Sequence, residues 1–422
     1  MTRAISYAAL WRVFGRIGVL SFGGPAGQIA LMHRELVEER DWLEEREFLS
    51  ALSFCMLLPG PEAMQLATYA GWKLRGVPGG LLAGLLFVLP GAAVVLALSA
   101  LYAAFGAVPL VQALFLGVQA AVVVIVVEAL LKVSRRALKG PGAWAIAAAA
   151  FVAIFAIGVP FPLIVLAAAL AGAALLPPAP PAADAAPQVP ASAAATLRTV
   201  AIWGALWLVP LALLWAGPGG ILAEIGLFFS KLAVVTFGGA YAVLAYMTQE
   251  VVEGYRWLTT AEMIDGLGLA ETTPGPLILV TQFVGFLAAW REGGVALGLA
   301  GAAVTLWMTF VPCFLWVFAG APWIGALGRR PRLGAALAGV TAAVVGVILN
   351  LSLWFAAHVF FDSVGQIDAG PLSLVAPDPA TIDLRAVAIA GVAAVLVFAL
   401  HRGLPLVLAV SAALGVGFAG LG

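Results

Sequence analysis

Charge is scarce in this chain. Of 422 residues only 10% are Asp, Glu, Lys or Arg, and 21 cationic side chains balance 21 anionic ones. Such a set offers no basic face to nucleic acid and no acidic face to a polycation. Cysteine is rarer still: Cys55 and Cys313 both lie in apolar runs, which argues against a disulfide framework and a cysteine-rich metal site. Three unclustered histidines, and no HExxH or GxSxG pattern, leave little for metal-dependent or nucleophilic catalysis. The one GxGxxG, "GVGFAG" at 415–420, follows no strand and signals no nucleotide site. No enzyme activity, cofactor or metal is therefore expected.

Apolar surface is abundant instead. A chain that is 63% hydrophobic carries more of it than a water-soluble globule can bury. Runs of about 17–25 apolar residues match the length a helix needs to cross roughly 30 Å of hydrocarbon. Thirteen candidate helices fall at 8–31, 48–72, 79–104, 108–132, 142–157, 160–176, 199–216, 221–247, 262–289, 294–320, 333–358, 385–401 and 404–421. The expected class is an all-α polytopic membrane protein with about 12–13 transmembrane helices, some of them broken or re-entrant. Arg12 and Arg16 interrupt the first run and no small-residue cleavage site follows, so that run reads as mature chain. A Pro/Ala-rich linker, 177–197, separates an N-terminal portion, 1–176, from a C-terminal portion, 198–422.

If all thirteen runs cross, thirteen Lys and Arg residues collect on the N-terminal side and five on the other. The positive-inside bias then places the N-terminus in the cytoplasm and the C-terminus outside. The two runs around "IGVPFP" (157–162) are short enough to form a buried pair instead, which would change the parity.

The chain also repeats itself. At an offset of 215, Phe22-Gly23-Gly24 matches Phe237-Gly238-Gly239, Trp42-Leu43 matches Trp257-Leu258, and Pro59-Gly60-Pro61 matches Pro274-Gly275-Pro276. The second copy then carries a seven-residue insertion, and at an offset of 222 Pro90 matches Pro312 and "GVQAAVV" (117–123) matches "GVTAAVV" (339–345). Low-complexity apolar sequence does not easily align a tryptophan and three Gly/Pro motifs in register, so this is a duplication. The second copy has one additional leading helix, 199–216. The copies are therefore expected to enter the membrane from opposite sides, as an inverted-topology repeat.

The Gly/Pro motifs interrupt backbone hydrogen bonding within apolar runs. Each freed group in lipid costs several kcal/mol unless protein, water or ligand satisfies it. They are either kinks and close-packing points or the lining of a site, where restarting helices would turn unpaired N–H groups toward an anion. Arg16 and Lys231 occupy equivalent positions ahead of each Phe-Gly-Gly, a cation pair suited to an anionic substrate unless both snorkel to the interface. Arg12 lies one turn before Arg16. Glu62 and Glu271 flank the Pro-Gly-Pro motifs and, with Glu128, are the candidates for proton coupling, although Lys132 is placed to pair with Glu128. Gln65, Thr68, Thr272, Thr273, Thr281 and Gln282 form a candidate polar lining or bond across helices. The segment 33–47, dense in both charges, reads as a solvated connector without chemistry.

The stretches "SFGGP" (21–25), "LLPGPEAMQLATYAGW" (57–72) and "TPGPLILVTQFVGF" (273–286), set in two related copies, resemble the long-chain chromate ion transporter family. The likeness extends over essentially the whole chain. It implies chromate export from the cytoplasm across the plasma membrane, driven by the membrane potential or a proton gradient, and chromate resistance. It carries substrate-binding motif positions onto Phe22, Gly23, Gly24, Pro25, Pro59, Gly60, Pro61 and Gln65, and onto Phe237, Gly238, Gly239, Pro274, Gly275 and Pro276. Ala240 replaces the proline of the second copy, so that copy is expected to bind or hinge less strictly. The partners implied are a small oxyanion and lipid, with a homodimer left open. Sulfate nearly matches chromate in shape and charge, so import or exchange of a sulfate-like anion is the first alternative, and a membrane-embedded enzyme is the alternative from a different class.

Overall fold

Glycine and proline decide where the apolar runs stop being helices. The computed structural model describes residues 5–22, 24–178, 192–217, 219–237, 240–327, 330–370 and 372–420. Gly23, Gly238, Gly239 and residues 179–191 of the linker lie outside these. In chain order the helices are α1 (Tyr7–Leu20), α2 (Gly24–His33), α3 (Glu45–Cys55), α4 (Glu62–Phe105), α5 (Pro109–Ala137), α6 (Pro141–Phe155), α7 (Phe161–Leu175) and α8 (Ala193–Ala216). After these come α9 (Ile221–Val235), α10 (Ala240–Gln249), α11 (Thr260–Thr272), α12 (Val280–Gly320), α13 (Ile324–Leu327) and α14 (Pro331–Phe360). A hairpin, β1 (Val364–Ala369) paired antiparallel with β2 (Leu372–Pro377), precedes α15 (Leu384–Ala394) and α16 (Leu404–Ala419).

Four runs that read as continuous are split. Run 8–31 becomes α1 and α2, 221–247 becomes α9 and α10, 48–72 breaks between Cys55 and Glu62, and 262–289 breaks after Thr272. The reason is local: Gly24, Gly60 and Gly275 take φ of +70, +123 and +93, and the flanking prolines have no N–H to donate. With 14 and 10 residues, α1 and α2 extend about 21 and 15 Å, short of the ~30 Å hydrocarbon thickness. α6 and α7, 15 residues each, are similarly short at about 22 Å.

α4 and α12 each fold back on themselves. Arg75-Gly76 and Gly293-Gly294 leave helical geometry with nearly the same angles: φ −147°, ψ 26° then φ 64°, ψ −160° in one, and φ −149°, ψ 22° then φ 69°, ψ −160° in the other. Any Cβ on Gly84 would strike the Thr68 hydroxyl, and one on Gly285 would strike that of Thr305. A straight helix would hold those pairs about 24 and 30 Å apart, so each element is a helical hairpin with a short and a long limb. Part of the seven-residue insertion is also visible: the 3₁₀ turn Leu277–Leu279 adds three residues between Pro276 and the kink.

Two compact units result, each drawing on both sides of the linker. Unit 1 comprises residues 1–100, 179–240 and 273–331, and holds α1–α3, most of α4, α8, α9 and α12. Unit 2 comprises 101–178, 241–272 and 332–422, and holds α5–α7, α10, α11 and α14–α16. Within unit 2 the long helix of each repeat packs on the terminal pair of the other. Gly117 of α5 lies against Ser411 of α16, and Gly339 of α14 lies against Gly172 of α7. The small residues let backbones touch, as helices packed in lipid require.

The outer surface is apolar. Within α8 only Trp207 is buried, while Leu197 and Leu213 are 70% and 66% exposed. A helix hydrophobic all round and left uncovered belongs in hydrocarbon. Among the described residues five stretches are long and apolar enough to cross a membrane: 62–105, 109–137, 193–216, 277–323 and 331–360. The chain is an all-α polytopic membrane protein. The apolar-run reading leaves 359–384 without an element; the β1–β2 hairpin found there is too short to register as an apolar run.

Candidate functional site

Ser21 and Thr236 end α1 and α9 in closely similar conformations, φ −76°, ψ 65° and φ −75°, ψ 80°. Each donates its hydroxyl to the carbonyl four residues back, Ile17 at 2.6 Å and Leu232 at 2.5 Å. Phe22 and Phe237 then donate their N–H groups to Leu20 and Val235, closing the same tight turn. The likeness continues through the connectors. Asp41 and Arg256, again 215 apart, both take positive φ, and Trp42 and Trp257 donate to the Leu36 and Val251 carbonyls. Sequence repetition is thus repetition of backbone geometry.

The carbonyls freed at the two breaks are satisfied across the copies. Ser21 O accepts from Gly275 N at 2.9 Å, and Thr236 O accepts from Gly60 N at 2.8 Å. Each Pro-Gly-Pro turn therefore docks on the break of the opposite copy. An arrangement in which the first copy contacts the second as the second contacts the first is isologous, the mark of a two-fold relation. Neighbouring contacts obey the same rule. Gly60 faces Cys313 and Gly275 faces Gly91, the residues that follow the matched prolines Pro312 and Pro90.

Two glutamines pin these junctions. Gln28 Nε2 donates to Gly275 O at 2.7 Å and to Ser21 O at 3.4 Å, and Gln65 Nε2 donates to Pro59 O at 2.7 Å. The Gln65 and Gln282 Oε1 atoms are buried with no partner among the described residues. Hydrogen-bonding capacity left over inside a junction of broken helices is where water or a ligand group gains most. The threonines of the candidate lining are otherwise engaged. Thr68, Thr272 and Thr281 donate to Met64, Leu269 and Ile278 carbonyls of their own segments.

Pro25 and Pro61 prepare helix starts: Pro25 is the second residue of α2, and Pro61 O accepts from Gln65 N in the first turn of α4. First-turn N–H groups of both helices lack intrahelical partners. Glu62, the first residue of α4, puts a carboxylate on that positive end, whereas its counterpart in the second copy is Leu277. Pro59 is half-buried, Pro274 and Pro276 are buried, Phe22 is exposed and Phe237 is half-buried.

The cations behave differently from one another. Arg16, half exposed, pairs at 3.3 Å with the fully buried carboxylate of Glu35, without hydrogen-bond alignment. Arg40 reaches the other Glu35 oxygen at 2.5 Å. Arg16 is thus not a lone charge, and the connector read as purely solvated contains a buried ion cluster. Near it, His33 bridges Glu38 at 2.9 Å and Glu45 at 2.5 Å, and hydrogen bonding to Glu45 raises its pKa. Lys231 is exposed on α9 and has no ion-pair partner among the described residues.

In unit 2, Glu128 pairs with Lys132 at 2.6 Å as their spacing suggested. Buried Glu271 accepts a hydrogen bond from Tyr241 at 2.7 Å. The sequence reading passed over Asp265, which is only 5% exposed and is held by Tyr102 and Gln119, each at 2.7 Å. Its signal was present, an acid in the otherwise apolar "MIDGLGLA" (263–270), but the repeat hides it because the matching residue is Ser50. Among the described residues no group of three or more His, Cys, Asp or Glu side chains could hold a metal ion.

The family described as Chromate transporter matches residues 8–173 and 223–416, skipping the linker and α8. The probable chromate transport protein of Synechococcus elongatus is 30% identical over 395 residues, covering 91% of this chain and 95% of that protein. The chromate transport proteins of Cupriavidus metallidurans and Pseudomonas aeruginosa are 32% and 35% identical. The overlaps cover 83% and 82% of this chain, and 82% and 80% of those proteins. No solved structure matches the chain.

Proposed function

This chain belongs to the chromate transporter family, and from that premise we propose that it is a secondary carrier exporting chromate from the cytoplasm by alternating access. It works in the plasma membrane with its N-terminus inside, coupled to the proton motive force. The reciprocal docking of Gly60 on Thr236 and Gly275 on Ser21 carries the reading. Two related halves with a two-fold axis in the membrane plane can exchange conformations, and that exchange turns an inward-open site into an outward-open one. The odd leading helix α8 supports opposed orientations of the copies.

Chromate is a tetrahedral dianion. The first-turn N–H groups of α2 and α4, restarting after the breaks, suit it, and so do Lys231 and the Arg16 guanidinium beside Glu35. The motif glycines Gly23, Gly238 and Gly239 belong to this proposal by sequence alone, as does the polar role of Gln65. Glu62, Glu128 and Glu271 remain proposed proton-coupling groups.

Purified protein in proteoliposomes is the test. Chromate flux should follow an imposed pH gradient, and sulfate should compete in proportion to its affinity for the same site. Flux that is absent for chromate and present for sulfate makes the chain a sulfate-type carrier. In cells, Arg16→Ala and Lys231→Ala should each raise chromate accumulation at normal expression; unchanged protection in both removes the cations from the site.

A further inference from the structure

Three carboxylates are buried among the described residues, and they are held in different ways. Glu35 faces two guanidinium groups, Arg16 at 3.3 Å and Arg40 at 2.5 Å. Glu271 accepts from Tyr241 and shares its surroundings with the Glu128–Lys132 pair. Asp265 has neutral partners: Oδ2 accepts from the Tyr102 hydroxyl and Oδ1 from the Gln119 amide, both at 2.7 Å. No Lys, Arg or His among the described residues pairs with it.

The sequence builds this pocket deliberately. Gly268, one turn beyond Asp265 on α11, has no Cβ because Val118 of α5 occupies that space. The close approach brings the next α5 residue, Gln119, to the Asp265 carboxyl. Tyr102 arrives from the last turn of α4. Charged groups facing the site are few. Glu262 lies one turn earlier on the same helix, half-buried and engaged with Thr259. The charged residues of α5 begin at Glu128, about 13 Å further along its axis than Gln119. α16, which also packs on α11, contains no titratable side chain.

We propose that Asp265 is a further group that takes up and releases a coupling proton, one that gradient-driven transport requires in addition to the glutamates named above; this deepens the transport reading and rests on it. The partners suit both protonation states. A hydroxyl and a primary amide can each donate to a carboxylate, and each can turn to accept from a carboxylic acid. An arginine or lysine would lock the anion instead. Burial without a cation makes the ionised form costly, so the group exchanges a proton rather than holding charge permanently. A metal cation is disfavoured because one carboxyl, one hydroxyl and one amide offer few oxygen ligands, where a cation requires several. α11 runs directly into the Pro274-Gly275-Pro276 break, so movement of that break is transmitted by chain continuity to the carboxyl.

The test compares wild type with Asp265→Asn and Tyr102→Phe in proteoliposomes. Two readouts are needed: chromate accumulation driven by a pH gradient, and chromate self-exchange at equal pH. Asp265→Asn should lose the gradient-driven accumulation while still exchanging chromate, and its exchange should no longer vary with pH. Tyr102→Phe should keep the coupling but shift the pH profile. Full gradient-driven accumulation by Asp265→Asn overturns the proposal, as does wild type that exchanges chromate without responding to the gradient. Wild type that neither accumulates nor exchanges chromate refutes the transport reading. The site is then judged by infrared pH titration, where a carboxyl band present in wild type and absent from Asp265→Asn supports it and an unchanged band overturns it. If Asp265→Asn does not fold, an unshifted Tyr102→Phe profile overturns the proposal.

Discussion

Replacing Gly60 with alanine tests the reciprocal junction most directly. At φ +123° an L side chain carries strain of roughly 1–3 kcal/mol. The added Cβ would lie 2.7 Å from Gln65 Nε2 and 2.8 Å from Cys313 Sγ, overpacking that costs roughly 1–3 kcal/mol more. Any backbone shift that relieves the clash pulls Gly60 N–H from Thr236 O, leaving a buried carbonyl short of a partner at about 1–3 kcal/mol. Together these come to about 3–9 kcal/mol. Gly275→Ala is milder: φ is +93° and the nearest atom, Leu279 Cδ1 at 3.0 Å, is the end of a flexible side chain. Gly24→Ala should be mildest, since at φ +70° nothing lies within 4 Å and about 1–2 kcal/mol of backbone strain stands alone. Thermal unfolding of the detergent-solubilised protein, followed by intrinsic tryptophan fluorescence, should rank the variants in that order. Cys313→Ala in the Gly60→Ala background should recover part of the loss. A Gly60→Ala protein as stable as wild type, or no more destabilised than Gly24→Ala, would refute the reasoning.

Arg40→Ala should cost about 3–5 kcal/mol, because it strips the closer partner from the buried Glu35 carboxylate. Arg16→Ala, half exposed at 3.3 Å, should cost about 0–1 kcal/mol; equal melting shifts would contradict this division. His33 has its pKa raised by Glu45, so its contribution to stability is complete below about pH 6.5 and is lost as pH rises through the folded value. Melting temperature should therefore fall with rising pH above that point, and Glu45→Gln should flatten the dependence.

Much of this protein was legible in its residues. Composition determined the solvent: with 63% hydrophobic residues, the chain satisfies its backbone internally as helices in lipid. The aligned Phe-Gly-Gly and Pro-Gly-Pro motifs determined the duplication and where the helices break, because positive φ and missing N–H groups are properties of single residues. The Glu128–Lys132 pair followed from spacing within one helix. What the tertiary structure alone decided is which distant groups meet. Gly60 finds Thr236 and Gly275 finds Ser21, and Asp265 is enclosed by Tyr102 and Gln119. Those contacts span long stretches of chain, and an apolar run looks the same whichever neighbour it will face. Local propensity sets backbone shape one turn at a time, whereas the partner of a buried polar group is chosen only when the helices pack.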